Sequence, residues 1–295
     1  MGRATQGEKA AVIQKLREEG YKLKHLLKAM DMARSTYYYE LQRKDVDRVK
    51  NTELMRKIQE IFTENKRIYG VRRVYRELRN QNYIVNHKTV QRLMHKLGLY
   101  GKRPKEKYHS YQGEVGKVAP NIIQRDFSTT APFQKWTTDV TQFRFSWGKC
   151  YLSPILDMNT NEIISYNLSQ SPNLAQIQDM LDKAFEKFQN LQGLIFHSDQ
   201  GWQYQHPLYQ TALREHGIIQ SMSRKGNCYD NCIMETFFGR LKNEMFYGSE
   251  KSYGSFHDFA EAVDQYIDYY NNRRIQEKTK WMPPSIYRKT SIWVA

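Results

Sequence analysis

The sequence predicts a chain of several domains, in which an all-helical front is followed by a domain of mixed helices and strands. Up to about residue 100, apolar residues recur at helical spacing in short runs. From about residue 133, runs of strand length alternate with helical runs. The excess of basic residues also ends near this change of pattern. Fold class and charge therefore divide the chain at about the same place.

Charge is distributed unevenly along the 295 residues. Residues 1–130 hold 29 Lys and Arg against 14 Asp and Glu, whereas residues 131–295 hold 17 of each. The whole net charge of +15 therefore lies in the first part. A basic region joined to a neutral domain with acids of its own is typical of a DNA-binding segment. A basic surface that serves only solubility is the alternative.

Composition excludes several classes of protein. A hydrophobic content of 40% with 13% aromatic residues is too high for a disordered chain. No apolar run reaches the ~18 residues of a membrane helix, and the first residues lack the apolar core of a signal peptide. Cys150, Cys228 and Cys232 are too few for a disulfide framework and lack a second pair for zinc. We therefore expect free thiols in a reducing cytosol.

Residues 1–48 are expected to form short helices in a helix-turn-helix-like order. Gly20 breaks the first apolar pattern, and Ser35 is expected to cap a third helix that begins at Thr36. The apolar stripes consist of Ala11, Val12 and Leu16 and then of Leu23, Leu26 and Leu27.

Residues 49–100 repeat this order and predict a helix-turn-helix domain that binds DNA. Asn86 is expected to cap its third helix and Gly98 to end it. The polar face of this helix can reach base edges and phosphates; it carries His87, Lys88, Gln91 and Arg92. The helix before it carries arginines that suit phosphate contacts, namely Arg72, Arg73, Arg76 and Arg79. A solvated basic surface is the alternative for both helices.

Residues 101–132 have little apolar pattern and predict a basic linker that lies along DNA. Its cations include Lys102, Arg103 and Lys105. An α/β domain is then expected at 133–248, followed by a helix and tail at 249–295 that pack on it. Short connections favour three antiparallel strands, at 136–145, 149–156 and 163–168. Further helices are expected at 174–188, 209–216, 234–242 and 255–272, and further strands at 194–196 and 218–222.

Three acidic side chains are candidates for one catalytic site. Asp139 lies in the first strand, Asp199 follows the buried strand, and Glu235 opens a helix after 35 intervening residues. Ligands collect at strand ends in open sheets, and a helix can reach the same point. Carboxylates suit Mg²⁺, and two ions about 4 Å apart can hold both reacting oxygens of a phosphodiester. We therefore expect two Mg²⁺ ions, with Mn²⁺ as a substitute; structural acids are the alternative.

Basic residues near these acids are predicted to hold DNA. Lys242 lies nearly two helical turns after Glu235 and so on the same face, where a cation can hold the DNA backbone. The polar loop at 224–231 is expected to move to admit a strand. Arg224 and Lys225 are the DNA contacts that we expect in it.

Four further residues have predicted auxiliary roles. His197 is expected to order Asp199 or to contact DNA. Asn231 is expected to cap the helix that carries the glutamate. Gln203 and Tyr204 are expected to shape the wall of the pocket. Since a metal-dependent displacement needs no tyrosine nucleophile, Tyr204 is expected to be structural or to stack on DNA.

A set of short sequence words recurs in order along nearly the whole chain. They are Ser35-Thr-Tyr-Tyr-Tyr39, Tyr69-Gly-Val-Arg-Arg73, His197-Ser-Asp199-Gln-Gly201, Gly226-Asn-Cys-Tyr-Asp-Asn231, Glu235-Thr-Phe-Phe238, Tyr270-Asn-Asn-Arg-Arg274 and Pro283-Pro-Ser-Ile-Tyr287. Their order and spacing resemble the IS-three family of bacterial insertion-sequence transposases, which carry an Asp-Asp-Glu (DDE) catalytic set. Cys232 departs from the family pattern, which has Ala there.

The resemblance implies a fold, a reaction and a set of partners. It implies a ribonuclease-H-like, integrase-type catalytic domain with a mixed sheet, and catalysis by Asp139, Asp199 and Glu235. It implies cleavage at the 3′ ends of terminal inverted repeats and strand transfer into target DNA, by a copy-out and paste-in route. The implied partners are these DNAs, further copies of the chain in a synaptic complex and the first-frame protein of the element, since this chain resembles the second-frame portion. The implied location is the bacterial cytoplasm, at the nucleoid and away from membranes.

Two other functions compete with a transposase. A metal-dependent nuclease of the same fold would cut DNA without joining it, and a regulator would bind DNA without cutting it. The three acids argue against the regulator. Two predicted DNA-reading units argue against a nonspecific nuclease.

Overall fold

The structure, a computed structural model, describes residues 4–102, 118–224 and 228–292, without the side chains of residues 43–50, 228 and 292. The predicted DNA contacts Arg103, Lys105 and Lys225 lie outside these ranges. The chain divides into two units, Met1–Gly101 and Lys102–Ala295. Within the described ranges, no helix has the length and apolar character that crossing a membrane requires.

The first unit consists of helices. They are α1 (Gln6–Glu18), α2 (Leu23–Ala29), α3 (Arg34–Glu64), α4 (Val71–Asn80) and α5 (His87–Lys96). Thr5 and Glu8 form a capping box at the start of α1. The predicted break at Gly20 is confirmed, since this residue has φ +98° and follows the end of α1.

The third helix differs most from the predicted arrangement. It runs unbroken for 31 residues and crosses the predicted boundary between residues 48 and 49. The sequence explains the continuity, because residues 34–64 contain neither Gly nor Pro. The predicted cap at Ser35 is wrong: α3 begins at Arg34, and Ser35 lies inside the first turn.

Two clusters of apolar side chains stabilise this unit. The first lies between α1, α2 and the front of α3 and includes the fully buried Ala10, Ile13 and Tyr37. The second lies where the rear of α3 contacts α4 and α5; its buried residues include Ile58, Ile61, Val74, Leu78, Val90 and Leu93. Asn86 caps α5 as predicted, because its side chain accepts the Lys88 N–H at 2.8 Å. Gly98 follows the helix with φ +65°.

The second unit contains a six-stranded mixed sheet. Its strands are β1 (Lys135–Thr138), β2 (Thr141–Phe145), β3 (Gly148–Asp157), β4 (Ile163–Ser169), β5 (Ile195–Ser198) and β6 (Ile219–Met222). The order is β2-β3-β1-β5-β6, with β4 paired to β3. Pairs that involve β3 are antiparallel, whereas β1–β5 and β5–β6 are parallel. The predicted antiparallel group is confirmed, and the parallel pairs bring β1 beside β5.

The first predicted strand, 136–145, is in fact two strands. β1 ends at Thr138 and β2 begins at Thr141, so Asp139 and Val140 belong to neither. The reason is local: the Val140 N–H donates to Asp139 Oδ1 at 2.7 Å and is thereby drawn to the carboxylate. The interruption places the Asp139 side chain at the end of β1, a central strand of the sheet.

The second unit also contains helices, which pack on this sheet or follow it along the chain. They are α6 (Leu174–Lys187), α7 (Trp202–Gln205), α8 (Pro207–Glu215), α9 (Cys232–Leu241), α10 (Phe256–Asn272) and α11 (Pro284–Ile292). The main core lies between the sheet, α6 and α8 and includes Trp136, Leu181, Phe196 and Leu213. A five-residue π-helical turn, Lys242–Phe246, directly follows α9 and was not predicted.

A buried ion pair joins the π-helical turn to the end of α10. Arg274 is 1% exposed and donates to both carboxylate oxygens of Glu244, with its Nη2 2.6 Å from Oε1. The Tyr266 hydroxyl donates to the same carboxylate at 2.9 Å. Loss of one member of such a pair leaves a buried charge without its partner.

We predict that Arg274→Met lowers the free energy of unfolding by about 3–5 kcal/mol, because Glu244 would stay buried without a cation. Chemical denaturation of the full chain measures this. The matched control is Arg273→Met, which removes an exposed ion pair to Asp268 and should cost at most about 1 kcal/mol. Equal losses for both variants would contradict the prediction.

Candidate active site

Two parallel strands carry the first two candidate acids. β1 and β5 pair with Thr137 beside His197. Continuing this register by two residues places Asp139 beside Asp199, just after the last residue of each strand. Laterally paired residues project from the same face of a sheet. The pairing therefore directs both carboxylates to one side.

Asp139 is a buried carboxylate with fixed partners. It is 5% exposed, and its two oxygens accept from the Val140 N–H at 2.7 Å and from Asn231 Nδ2 at 2.9 Å. Burial raises its pKa well above the ordinary value, and the negative charges of Asp199 and Glu235 raise it further. Asp199 and Glu235 therefore both lie close enough to Asp139 for their charges to act on it.

Asp199 lies in a tight turn between β5 and α7. Its Oδ1 accepts the Gly201 N–H at 2.8 Å, and burial raises the pKa of its carboxyl group. A Cβ on Gly201 would lie 2.9 Å from that same oxygen and 2.6 Å from Gln203 Nε2. Only glycine therefore leaves room for the carboxylate and the amide as they are placed. Gln203 thus lies near Asp199, and its place in the wall of a pocket stays a prediction.

Tyr204 lies beneath the two aspartates. It is fully buried, and its hydroxyl is 3.5 Å from Thr138 Oγ1. Burial raises the pKa of this phenol well above its ordinary value, and the charges of Asp139 and Asp199 add to the effect. The hydroxyl thus stays protonated near the acids, as expected for a supporting group.

Glu235 reaches the site from the first turn of α9. A carboxylate there is favoured by the helix dipole, while partial burial raises its pKa. Asn231 occupies the N-cap position, but its side chain makes no capping hydrogen bond. The predicted capping role is therefore wrong: this amide donates to Asp139 instead.

Lys242 is a buried basic residue whose charge interacts with that of Asp139. It is only 7% exposed, its Nζ donates to the Gln142 carbonyl at 3.1 Å and lies 5.2 Å from the centre of the Phe143 ring. Burial lowers its pKa to about 8, and the charge of Asp139 opposes this shift. The cation was predicted to hold DNA; its present contacts are inside the protein.

Two more residues of the predicted set also have internal partners. Both ring nitrogens of His197 are used, one with Ser221 Oγ at 2.9 Å and one with the Asp230 carbonyl at 3.0 Å. Arg224 forms two side-chain hydrogen bonds with the Asp230 carboxylate, at 2.9 and 3.0 Å. Sequence reasoning missed Asp230 and its second cation, Arg125. The signal that could have indicated Asp230 was its position next to Asn231, in a sequence word that resembles the family pattern.

The chemistry of these donors fits a divalent cation. Carboxylate oxygens are the ligands that Mg²⁺ prefers. Repulsion between the acids adds to the effect of burial on the pKa of Asp139, and a cation would relieve that repulsion. In the described ranges, no three His, Cys, Asp or Glu side chains are arranged to hold a metal ion as they stand. Metal ligation by the acids therefore remains a prediction.

The predicted DNA-contact residues of the first unit lie on its surface. On α5, His87, Lys88, Gln91 and Arg92 are exposed, while Val90, Leu93 and Met94 are buried on the other face. On α4, Arg72 and Arg76 are exposed, and Arg73 lies with its guanidinium 5.5 Å from the centre of the Tyr69 ring. The helices thus present their basic faces to solvent. In the second unit, Lys102 Nζ donates to the Glu244 carbonyl at 3.1 Å.

Comparison with known proteins gives this arrangement a family. Families described as integrase core domains match residues 129–228 and 235–292, and one described as an HTH-like domain matches residues 50–107. The chain is 47% identical over 268 residues to the putative transposase InsK for insertion sequence element IS150 from Escherichia coli K12, covering 91% of this chain and 94% of that protein. The chain belongs to the IS-three family of insertion-sequence transposases.

Two further similarities are to a second curated protein and to a solved structure. The chain is 53% identical over 208 residues to an uncharacterized transposase-like protein of Haemophilus influenzae, covering 70% of this chain and 95% of that one. Among solved structures, the HTLV-2 integrase catalytic core domain in complex with magnesium has 15% identity and a TM-score of 0.42, covering 52% of this chain and 97% of that chain.

Family membership confirms the predicted fold class and enzyme class. The chain combines an HTH-like domain with a ribonuclease-H-like integrase core built on a mixed sheet. It is a polynucleotidyl transferase of the DDE type that acts on DNA in transposition.

We predict that Gly201→Ala lowers the rate of DNA cleavage by about 10²-fold, because the new Cβ would displace Asp199 or Gln203 by roughly an ångström. Single-turnover cleavage of a labelled DNA end measures this. The control is Gly239→Ala on α9, where a Cβ would meet no atom within 4 Å. An unchanged rate for Gly201→Ala would mean that the crowding is harmless.

Proposed function

We propose that this transposase binds the terminal inverted repeats of its element and uses Asp139, Asp199 and Glu235 for 3′-end cleavage and strand transfer. The reaction follows a copy-out and paste-in route, in which a freed 3′-hydroxyl attacks a second phosphodiester. The observation that carries this proposal is the lateral pairing of β1 with β5, which supports convergence of the two aspartates. The charge of Glu235 acts on Asp139 as well, which supports a site of three acids.

The three acids are the residues that would hold two Mg²⁺ ions, or Mn²⁺ in their place. When bound, the ions supply Lewis acidity and neutralise charge that develops at the phosphorus. The Gly201 N–H and the Asn231 amide orient the aspartates by hydrogen bonds of 2.8 and 2.9 Å. Lys242 adds a buried positive charge beside Asp139. Such fixed charges act more strongly in a site that excludes water.

The exposed faces of α4 and α5 support DNA recognition by the first unit. Lys88 and Arg92 lie on the exposed face of α5, and Asn86 fixes the start of this helix. Side chains at the front of such a helix can reach base edges, while arginines on the preceding helix neutralise phosphates. The first unit thus selects the end, and the second unit cuts it.

Synapsis of two DNA ends favours a homo-oligomer, and the first-frame protein of the same element is a further partner in this proposal. The transposase and this partner act on DNA at the nucleoid in the bacterial cytoplasm.

A nuclease of the same fold is the main competing function. Incubation of the purified chain with labelled terminal repeats and Mg²⁺ or Mn²⁺ separates the two, since joined products require a transposase and cut-only products indicate a nuclease.

We predict that Asp199→Asn keeps affinity for terminal repeats but reduces cleavage and joining to background, because an amide is a much weaker ligand for a hard cation. Gel-based cleavage and strand-transfer assays measure this. Asp182→Asn on α6, which replaces an exposed acid, serves as the control and should behave like wild type. Joined DNA from Asp199→Asn would remove this residue from the reaction.

We predict that Lys88→Ala weakens binding to terminal repeats and lowers the slope of log affinity against log salt concentration by about 1, because one phosphate contact is lost. Fluorescence anisotropy over a range of salt concentrations measures the slope. Lys183→Ala, an exposed lysine on α6 paired with Asp179, is the control. A slope equal to that of wild type would exclude a phosphate contact at Lys88.

A further inference from the structure

The turn before α9 contains a buried acid that has no part in the reaction described above. Asp230 lies in the 3₁₀ turn Cys228–Asn231, and its side chain is 1% exposed. It precedes Asn231, the residue that contacts Asp139. Burial of a charged group costs free energy unless partners compensate it. The partners of Asp230 therefore indicate what the turn is for.

Three side chains from two other segments meet at this carboxylate. Arg125 Nε donates to one oxygen at 2.9 Å, and Asn121 Nδ2 donates to the other at 2.9 Å. Arg224 donates through its backbone N–H and two side-chain nitrogens. These charge-assisted bonds hold the pKa of Asp230 well below its usual range. The carboxylate thus ties the turn to residues about 100 positions earlier in the chain.

The carbonyl of Asp230 is held separately by His197. A carbonyl only accepts hydrogen bonds, so Nε2 of the histidine carries the proton. Its Nδ1 then accepts from the Ser221 hydroxyl, whose oxygen accepts the Ile122 N–H at 3.0 Å. Side chain and backbone of Asp230 are therefore both fixed.

The backbone is strained where Arg125 approaches. Gln124 and Arg125 have φ of +48° and +67°, a region that is unfavourable for residues other than glycine. Such strain persists only where the surrounding contacts impose it. Here the strained residues place the Arg125 guanidinium against the Asp230 carboxylate.

Asn231 lacks the side-chain capping hydrogen bond that is usual at its position. Asparagine at an N-cap position commonly stabilises a helix through a side-chain hydrogen bond, yet Asn231 makes none to α9. Its Nδ2 instead donates to Asp139 Oδ2, and its Oδ1 lies 3.5 Å from Thr137 Oγ1. The amide bridges the turn and the end of β1.

We propose that Asp230 and Asn231 form a positioning pair for the carboxylate of Asp139. Asp230 anchors the turn, and Asn231 fixes the orientation of the carboxylate that the turn faces. The inference rests on the proposed function in one respect, namely that Asp139 is a metal ligand in the DNA reaction. Neither residue of the pair touches DNA in this role.

The test compares Asn231→Ala, Asp230→Asn and the double variant in the full chain. Asn167→Ala is the matched control, because its amide also donates to a carboxylate, Asp179 Oδ2 at 2.6 Å, but on β4 and α6. Mn²⁺ binding is measured without DNA, from the electron paramagnetic resonance signal of free Mn²⁺. Cleavage rate and affinity for a terminal-repeat duplex are measured separately.

We expect Asn231→Ala to weaken Mn²⁺ binding and cleavage by about 10–100-fold each, as for other residues that orient metal ligands, with DNA affinity unchanged within about twofold. Asp230→Asn should have a similar effect. The double variant should lose no more Mn²⁺ affinity and cleavage rate than the more strongly impaired single variant, because the two residues act as one unit. Asn167→Ala should match wild type in all three measurements.

Mn²⁺ affinity of Asn231→Ala within about twofold of wild type, or losses that multiply in the double variant, would overturn the proposal. Should Asp230→Asn fail to fold, Arg125→Met removes one partner of the anchor and should still slow cleavage several-fold. The two proposals fail differently. If wild type binds Mn²⁺ and Asn231→Ala weakens that binding, but wild type neither cuts nor joins DNA ends, the proposed function fails and the positioning pair is supported.

Discussion

Lateral pairing of β1 with β5 is the constraint on which the catalytic unit depends. Parallel strands have a fixed register, and here that register places Asp139 level with Asp199. Burial raises the pKa of Asp139, and repulsion by the like charge of Asp199 on the neighbouring strand end raises it further. The sheet can impose this only because its other side is packed, with Trp136 and Phe196 buried in the core beneath. Hydrophobic burial thus stabilises an arrangement that electrostatics alone would disperse.

Much of the fold could be predicted because its signals are local. Apolar spacing located the helices of both units, and the absence of Gly and Pro from residues 34–64 is a signal of a continuous helix that domain-level reasoning overlooked. The break between β1 and β2 was not predictable from hydrophobicity. It arises because the Asp139 carboxylate attracts the next backbone N–H.

The three acids could be predicted as a set, but their surroundings could not. Partners of Asp230 come from residues 121 and 125, which no periodicity connects to the turn. The side chain of Asn231 follows neither its position nor its usual preference, since a buried carboxylate competes for it more strongly than α9 does. Lys242 was placed on the correct face, yet its burial depends on Gln142 and Phe143 in another strand. Long-range contacts of this kind determine the electrostatics of the site.

The unbroken α3 has a mechanical consequence for the first unit. At 1.5 Å per residue, its 31 residues make a rod about 46 Å long, longer than one turn of B-DNA. One apolar cluster lies near each end of this rod. Their separation and their rotational phase are thereby set by chain length, and each residue added between them would turn one end by about 100°. The number of residues in α3 therefore determines how the faces of α1 and α2 are oriented relative to those of α4 and α5.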